Sequence, residues 1–121
     1  MTEKIDKPWG KEVILCKNDS YVGKILYINK GHRISKQYHN LKMESLYMIK
    51  GYAKIQVGDI SRLLYQKDIP SFPSDITKYT TIDILPRVQH RIEALEDCIF
   101  IEFSTNQLSD IVRIEDDYKR V

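Results

Sequence analysis

The run GHRISKQYHNLKMESLYMIKG, residues 31–51, holds two strand-like segments around a short turn. Side chains of an extended strand alternate faces, so Gln37 and His39 point one way while Lys36 and Tyr38 point the other. Residues 40–43, Asn-Leu-Lys-Met, bring the chain back on itself, and Glu44 opens the returning strand. An amide oxygen, an imidazole nitrogen and a carboxylate are thereby aimed into one space, where a divalent cation fits. A fourth donor is wanted, and His90 is the candidate.

The rest of the chain repeats this pattern of short apolar alternations. They occur at 11–16, 21–28, 34–38, 45–49, 53–57, 60–66, 79–85, 90–94, 98–104 and 111–114, rich in Ile, Val and Tyr. Turn formers separate them at Asn18-Asp19-Ser20, Lys30-Gly31, Lys50-Gly51, Gly58-Asp59 and Glu96-Asp97. No helical period persists. So many short strands in 121 residues predict one all-β domain, 1–121, built as a sandwich or a barrel closed on itself. Exposed edge strands of a small barrel are commonly covered by a second copy, so a homodimer is expected.

Composition narrows the partners. Acidic and basic residues are interleaved and the net charge is only +2, which implies neither a nucleic-acid nor a membrane partner. No stretch approaches the roughly 18 apolar residues of a membrane span. The opening MTEKIDK has no apolar signal core, so a cytoplasmic protein is expected. Cys16 and Cys98 sit in apolar runs without metal-binding spacing and read as buried, reduced thiols. The segment 68–78, DIPSFPSDITK, reads as a loop with Phe72 at its tip, serving as a lid, a dimer contact or a surface insertion.

Gly31, Gln37, His39, Glu44 and Gly51 resemble, slot by slot, the first motif of the cupin superfamily. Gln where many cupins carry a first His resembles the phosphomannose isomerases. KPWG at 7–10 resembles the opening, and DIVRIEDDYKR at 110–120 the closing motif, of the cupin half of type II mannose-6-phosphate isomerases. The resemblance implies a cupin jelly-roll barrel, an antiparallel double-stranded β-helix. It further implies a divalent metal, for which zinc is the first choice, held by Gln37, His39, Glu44 and His90. The activity implied is isomerisation of a sugar phosphate, mannose 6-phosphate to fructose 6-phosphate, through an enediol.

Other residue roles follow the same resemblance. Lys42 matches a basic residue of the phosphomannose isomerases and takes a polarising or proton-relaying catalytic role; Arg120 and Arg113 align with arginines of the closing motif, the first as catalytic and the second as substrate-binding. Periodicity leaves the facing of Lys24 open, and the resemblance places it in the pocket, binding the phosphate. Glu93 and Glu102 are candidate bases of undetermined facing. ILPRVQHRIEA, 84–94, resembles the second cupin motif with two departures: Val88 replaces a glycine, and one residue fewer separates Pro86 from His90. The turn that aims His90 must therefore be built differently. The nucleotidyltransferase domain of the bifunctional enzymes is not in this sequence, so no guanylyltransferase activity carries over. The alternatives are a nucleotide-sugar epimerase or ketoisomerase, and a noncatalytic sugar-binding cupin.

Overall fold

A computed structural model describes residues 2–66 and 81–120; the expected loop at 68–78, with Phe72, lies outside them. The strands are β1 (Glu3–Lys7), β2 (Gly10–Lys17), β3 (Val22–Ile28), β4 (Lys36–Tyr38), β5 (Glu44–Val57), β6 (Ile60–Gln66), β7 (Thr81–Ile84), β8 (His90–Ala94), β9 (Cys98–Ser104) and β10 (Val112–Glu115). Their order is β1-β2-β3-β9-β5-β8-β4-β10, with β6 and β7 also paired to β5, and every pairing is antiparallel. Among the described residues there is no helix. This is the all-β cupin jelly roll.

The strand β5 joins the two sheets. The sequence reading breaks it at Lys50-Gly51, but it runs on for 14 residues. Its first half pairs with β9 and β7, and its second half with β8 and β6. The crossing point is Gly51, at φ +130°, just after a register shift between Met48 and Lys50. A bulge and a glycine bend a strand without ending it, which is why turn chemistry here does not make a turn. A Cβ on Gly51 would lie 2.7 Å from both the Asp97 carbonyl oxygen and the Cys98 sulfur. Gly51→Ala is expected to destabilise the protein by on the order of 1–3 kcal/mol from backbone strain, with the clash added. Thermal unfolding measures it, and an unchanged melting temperature would contradict the corner assigned to Gly51.

Two other departures have physical causes. β1, EKIDK, is too polar to read as a strand and is ordered by its hairpin with β2, in register from Glu3↔Ile14 to Lys7↔Gly10. Cys16, expected to be buried, is exposed, because the β2–β3 ladder slips between Ile14 and Cys16. Cys98 is buried as expected, and burial pushes its thiol up to about 11, so it stays protonated and inert.

The core follows from alternation. Leu26 and Ile28, Met48 and Leu46, Phe100 and Cys98, Ile92 and Ala94 point inward from four strands and are all at most 5% exposed. At the other end of these same inward rows stand Lys24, Glu44, Glu102 and His90, also buried. One end of the barrel interior is thus hydrocarbon, and the other is a charged cavity.

Candidate metal centre

The cavity has a volume of about 180 Å³ and brings together Gln37, His39, Lys42, Glu44 and His90, with Lys24, Glu102, Arg113 and Arg120 also on its wall. Gln37 is the central residue of β4, and His39 follows the strand's last residue. Glu44 opens β5 and His90 opens β8. Gln37 pairs in register with His90 on one side and with Arg113 of β10 on the other, so three adjacent strands present these side chains in a row.

His39 Nε2 and His90 Nε2 lie 3.6 and 3.3 Å from the same oxygen, Glu44 Oε1, and donor atoms of the three residues fall within 4.8 Å of one another. Each ring is oriented from behind. His39 Nδ1 faces the carbonyl oxygen of Asp110, and His90 Nδ1 lies 2.9 Å from that of Val88. A carbonyl has no proton to give, so both Nδ1 atoms must donate. In neutral rings both Nε2 atoms then present lone pairs to the cavity, as metal-bound histidines do. Three lone-pair atoms converge on one point, and His39 Nε2 is buried with no hydrogen-bond partner among the described residues. A divalent cation there could satisfy all three. Gln37 fits beside them: its amide nitrogen donates to the Ser35 carbonyl oxygen (3.3 Å) and hydroxyl (3.1 Å), leaving its oxygen as the remaining donor atom.

The turn before His90 solves the problem posed by Val88. The left-handed conformation falls on Arg87, at φ +69°, so Val88 escapes it. Arg87 N–H donates to the His39 carbonyl at 2.6 Å, which ties the two histidine segments together.

Beyond the histidines the charges alternate. Lys42 Nζ sits 3.0 Å from Glu44 Oε2 and 3.2 Å from Glu102 Oε2, while Lys24 Nζ lies 3.5 Å from Glu102 and 3.3 Å from Glu12. Burial pulls the Lys42 ammonium down, but Glu102 and Glu44 outweigh it and raise it above the ordinary lysine value. Lys42 is therefore charged. Burial pushes the Glu44 carboxyl up, yet hydrogen bonds from His39 and His90 whenever their Nε2 atoms carry protons, together with Lys42, hold it well below the usual range. For Glu102 burial prevails, with Glu44 adding to it, and its carboxyl is raised. Lys24 does face inward, but it meets carboxylates there, so it is not the free cation that a phosphate needs.

The profile of the mannose-6-phosphate isomerase C-terminal family matches residues 1–116. The chain belongs to this family. Solved structures agree on the fold. KdgF from Halomonas sp. is 15% identical over 87% of this chain and 86% of that one, at TM-score 0.70. An RmlC-like cupin from Shewanella frigidimarina is 17% identical over 89% and 86%, at 0.70. Streptomyces Pac13, solved with uridine, is 9% identical over 95% and 85%, at 0.72. No curated protein sequence matches.

In this member of the mannose-6-phosphate isomerase C-terminal family the closing motif folds back along the barrel. β10 pairs with β4, and Asp116 grips Arg120 at 2.7 Å and 3.1 Å. Asp117 binds Arg33 and Arg91, and Tyr118 meets His32 at 2.9 Å. Asp110 accepts the backbone N–H groups of Asn40, Leu41 and Lys42, which hold its carboxyl down at about 2 and shape the turn between His39 and Glu44. The Arg113 Nε is buried without a hydrogen-bond partner among the described residues. Of the two candidate bases, Glu102 is in the cavity, whereas Glu93 lies on the outer face beside Arg33 and Lys54. Sequence reasoning missed Lys7 and Glu12, which also line the cavity. The two-residue spacing of Ile5 and Lys7 places them on one face, but that signal has meaning only once β1 is known to be a strand.

Proposed function

We propose that the chain is a metal-dependent sugar-phosphate isomerase, with mannose 6-phosphate and fructose 6-phosphate as its substrate pair and zinc as its metal. The observation that carries this reading is the convergence of His39 Nε2, His90 Nε2 and Glu44 Oε1 in a cavity whose wall also carries Lys7, Lys24, Lys42, Arg113 and Arg120 alongside Glu12 and Glu102. Gln37, His39, Glu44 and His90 would hold the ion. When bound, it supplies a Lewis acid for the carbonyl and hydroxyl oxygens of the sugar.

The chain's own residues do the rest. Moving a proton between adjacent carbons through an enediol needs a group that takes it and returns it. Glu102 has that role: it is inside the cavity, and its burial raises its basicity toward the working range. Lys42, charged between Glu44 and Glu102, donates a hydrogen bond to the oxygen that gains charge. Arg113 and Lys7 line the cavity and form no ion pair among the described residues, so they anchor the phosphate, with Arg120 set beside them by Asp116. Lys24 supports the cavity by holding Glu102 and Glu12 in place.

Turnover of mannose 6-phosphate and fructose 6-phosphate by metal-loaded protein tests the proposal. Chelation is expected to abolish it. Arg113→Met is expected to raise KM about 10–100-fold, the worth of a charge-assisted hydrogen bond, with a smaller change in kcat. Metal-loaded protein that turns over neither sugar, or turnover that survives chelation, would refute the assignment.

A further inference from the structure

The turn between His39 and Glu44 is not held by its own residues. Asn40, Leu41, Lys42 and Met43 include neither glycine nor proline, and Leu41 and Met43 are exposed, so burial of these two side chains does not fix the backbone. Its amides are bonded elsewhere. Asn40 N–H donates to Asp110 Oδ1 at 3.0 Å, Leu41 and Lys42 N–H donate to Asp110 Oδ2 at 2.7 and 3.0 Å, and Met43 N–H donates to Thr105 Oγ1 at 3.1 Å. Thr105 N–H in turn donates to the Met43 carbonyl at 3.0 Å. All of these partners lie in the connection between β9 and β10, residues 105–111. The same connection reaches the imidazole: the Asp110 carbonyl accepts the proton on His39 Nδ1.

We propose that Asp110 is a positioning residue of the metal centre proposed above, on which this role depends, and that through it the β9–β10 connection sets the affinity for the ion. Asp110 acts at two points. Its carbonyl fixes which nitrogen of His39 faces the cavity, and its carboxylate, gripping three consecutive amides, fixes where that carbonyl stands relative to the turn that leads to Glu44. Hydrogen bonds to an ionised acceptor are roughly twice as strong as neutral ones, so the joint is stiff. It keeps His39 Nε2 and Glu44 Oε1 at their separation of 3.6 Å, although Asp110 is no ligand, its carboxylate oxygens being engaged by the turn. Without it the two donor atoms are carried by a turn with nothing to hold its amides on that side. The coupling is reciprocal: an ion held by His39 and Glu44 stabilises the docked connection by as much as docking strengthens the hold on the ion.

Titration of the metal-free full chain with cobalt(II), read by the visible absorption that reports the ion's coordination geometry, tests this. Asp110→Ala is expected to weaken cobalt binding about 10–100-fold, the usual effect of removing a group that orients a ligand, and to change the shape of the absorption band. Asp110→Asn keeps one acceptor oxygen for the turn and is expected to recover part of the affinity. Asn106→Ala loosens the same connection at its other end, where the Asn106 amide donates to the Asp19 carbonyl at 2.6 Å, and is expected to leave affinity and band as in the wild type. Hydrogen exchange of the wild type covers the case in which Asp110→Ala does not fold: zinc is expected to slow exchange of the amides of residues 40–43 about tenfold or more. An Asp110→Ala protein with wild-type affinity and band, an equal loss in Asn106→Ala, or turn amides whose exchange zinc leaves unchanged would each overturn the positioning role and leave the metal centre standing. A wild-type protein that gives no cobalt band would overturn the centre and this role with it.

Discussion

His39→Ala and His90→Ala are each expected to strip the purified protein of its metal, from about one ion per chain to a small fraction of that. The expectation follows from how the donor atoms are held. Both Nε2 atoms face Glu44 Oε1, at 3.6 and 3.3 Å, because each Nδ1 is committed to a backbone carbonyl. Neither ring is free to turn away, and no neighbouring imidazole is available to replace it, since His32 is engaged with Tyr118 at the tail. Removing a residue that merely supports a ligand costs about 10–100-fold in affinity, so removing a ligand should cost more. Gln37→Ala should lower affinity less, about tenfold, because a neutral amide oxygen is the weakest donor of the four. Elemental analysis of purified variants, followed by titration of the apo proteins with zinc, reads both effects. Undiminished occupancy in both Gln37→Ala and His90→Ala would remove the centre.

Lys42→Met is expected to destabilise the metal-free protein by about 3–5 kcal/mol, the usual consequence of leaving buried charges without their partner. The Lys42 side chain is only 6% exposed, and its ammonium lies between Glu44 and Glu102, which are equally buried. Without it two carboxylates face each other with only Lys24 left to compensate Glu102. The double variant Lys42→Met/Glu102→Gln should recover a substantial part of the loss, because it removes one of the two repelling charges. Denaturant unfolding in chelator measures all three proteins. A Lys42→Met protein as stable as wild type would make Lys42 an ordinary surface lysine and withdraw the part assigned to it at the substrate oxygen.

Much of this architecture was legible in local patterns. Period-two alternation is a property of a strand by itself, so β3, β8 and β9 could be placed from Val, Ile and Phe spacing alone, as could the shared facing of Gln37 and His39. Where a strand's order comes from its partner, that signal fails. β1 is polar and depends on its hairpin, and β5 continues through Lys50-Gly51 because the ladders on both sides carry it across the bend. The same limit applies within the site. Glu102 and Glu93 are each one member of an alternating strand, and only the closed barrel determines which of the two faces is inside.

The amino-acid order alone pointed to the all-β class, to the cupin motif and to His39, Glu44 and His90 as a group that could hold a metal, because these follow from residue type and local spacing. Folding in three dimensions established what each charge faces: that Lys24 meets Glu12 and Glu102, that Lys42 bridges two carboxylates, that Lys7 and Arg113 reach the cavity without an ion-pair partner among the described residues, and that Arg87 takes the left-handed turn in place of Val88. A buried charge is defined by its neighbours, and here those neighbours come from strands far apart in the chain.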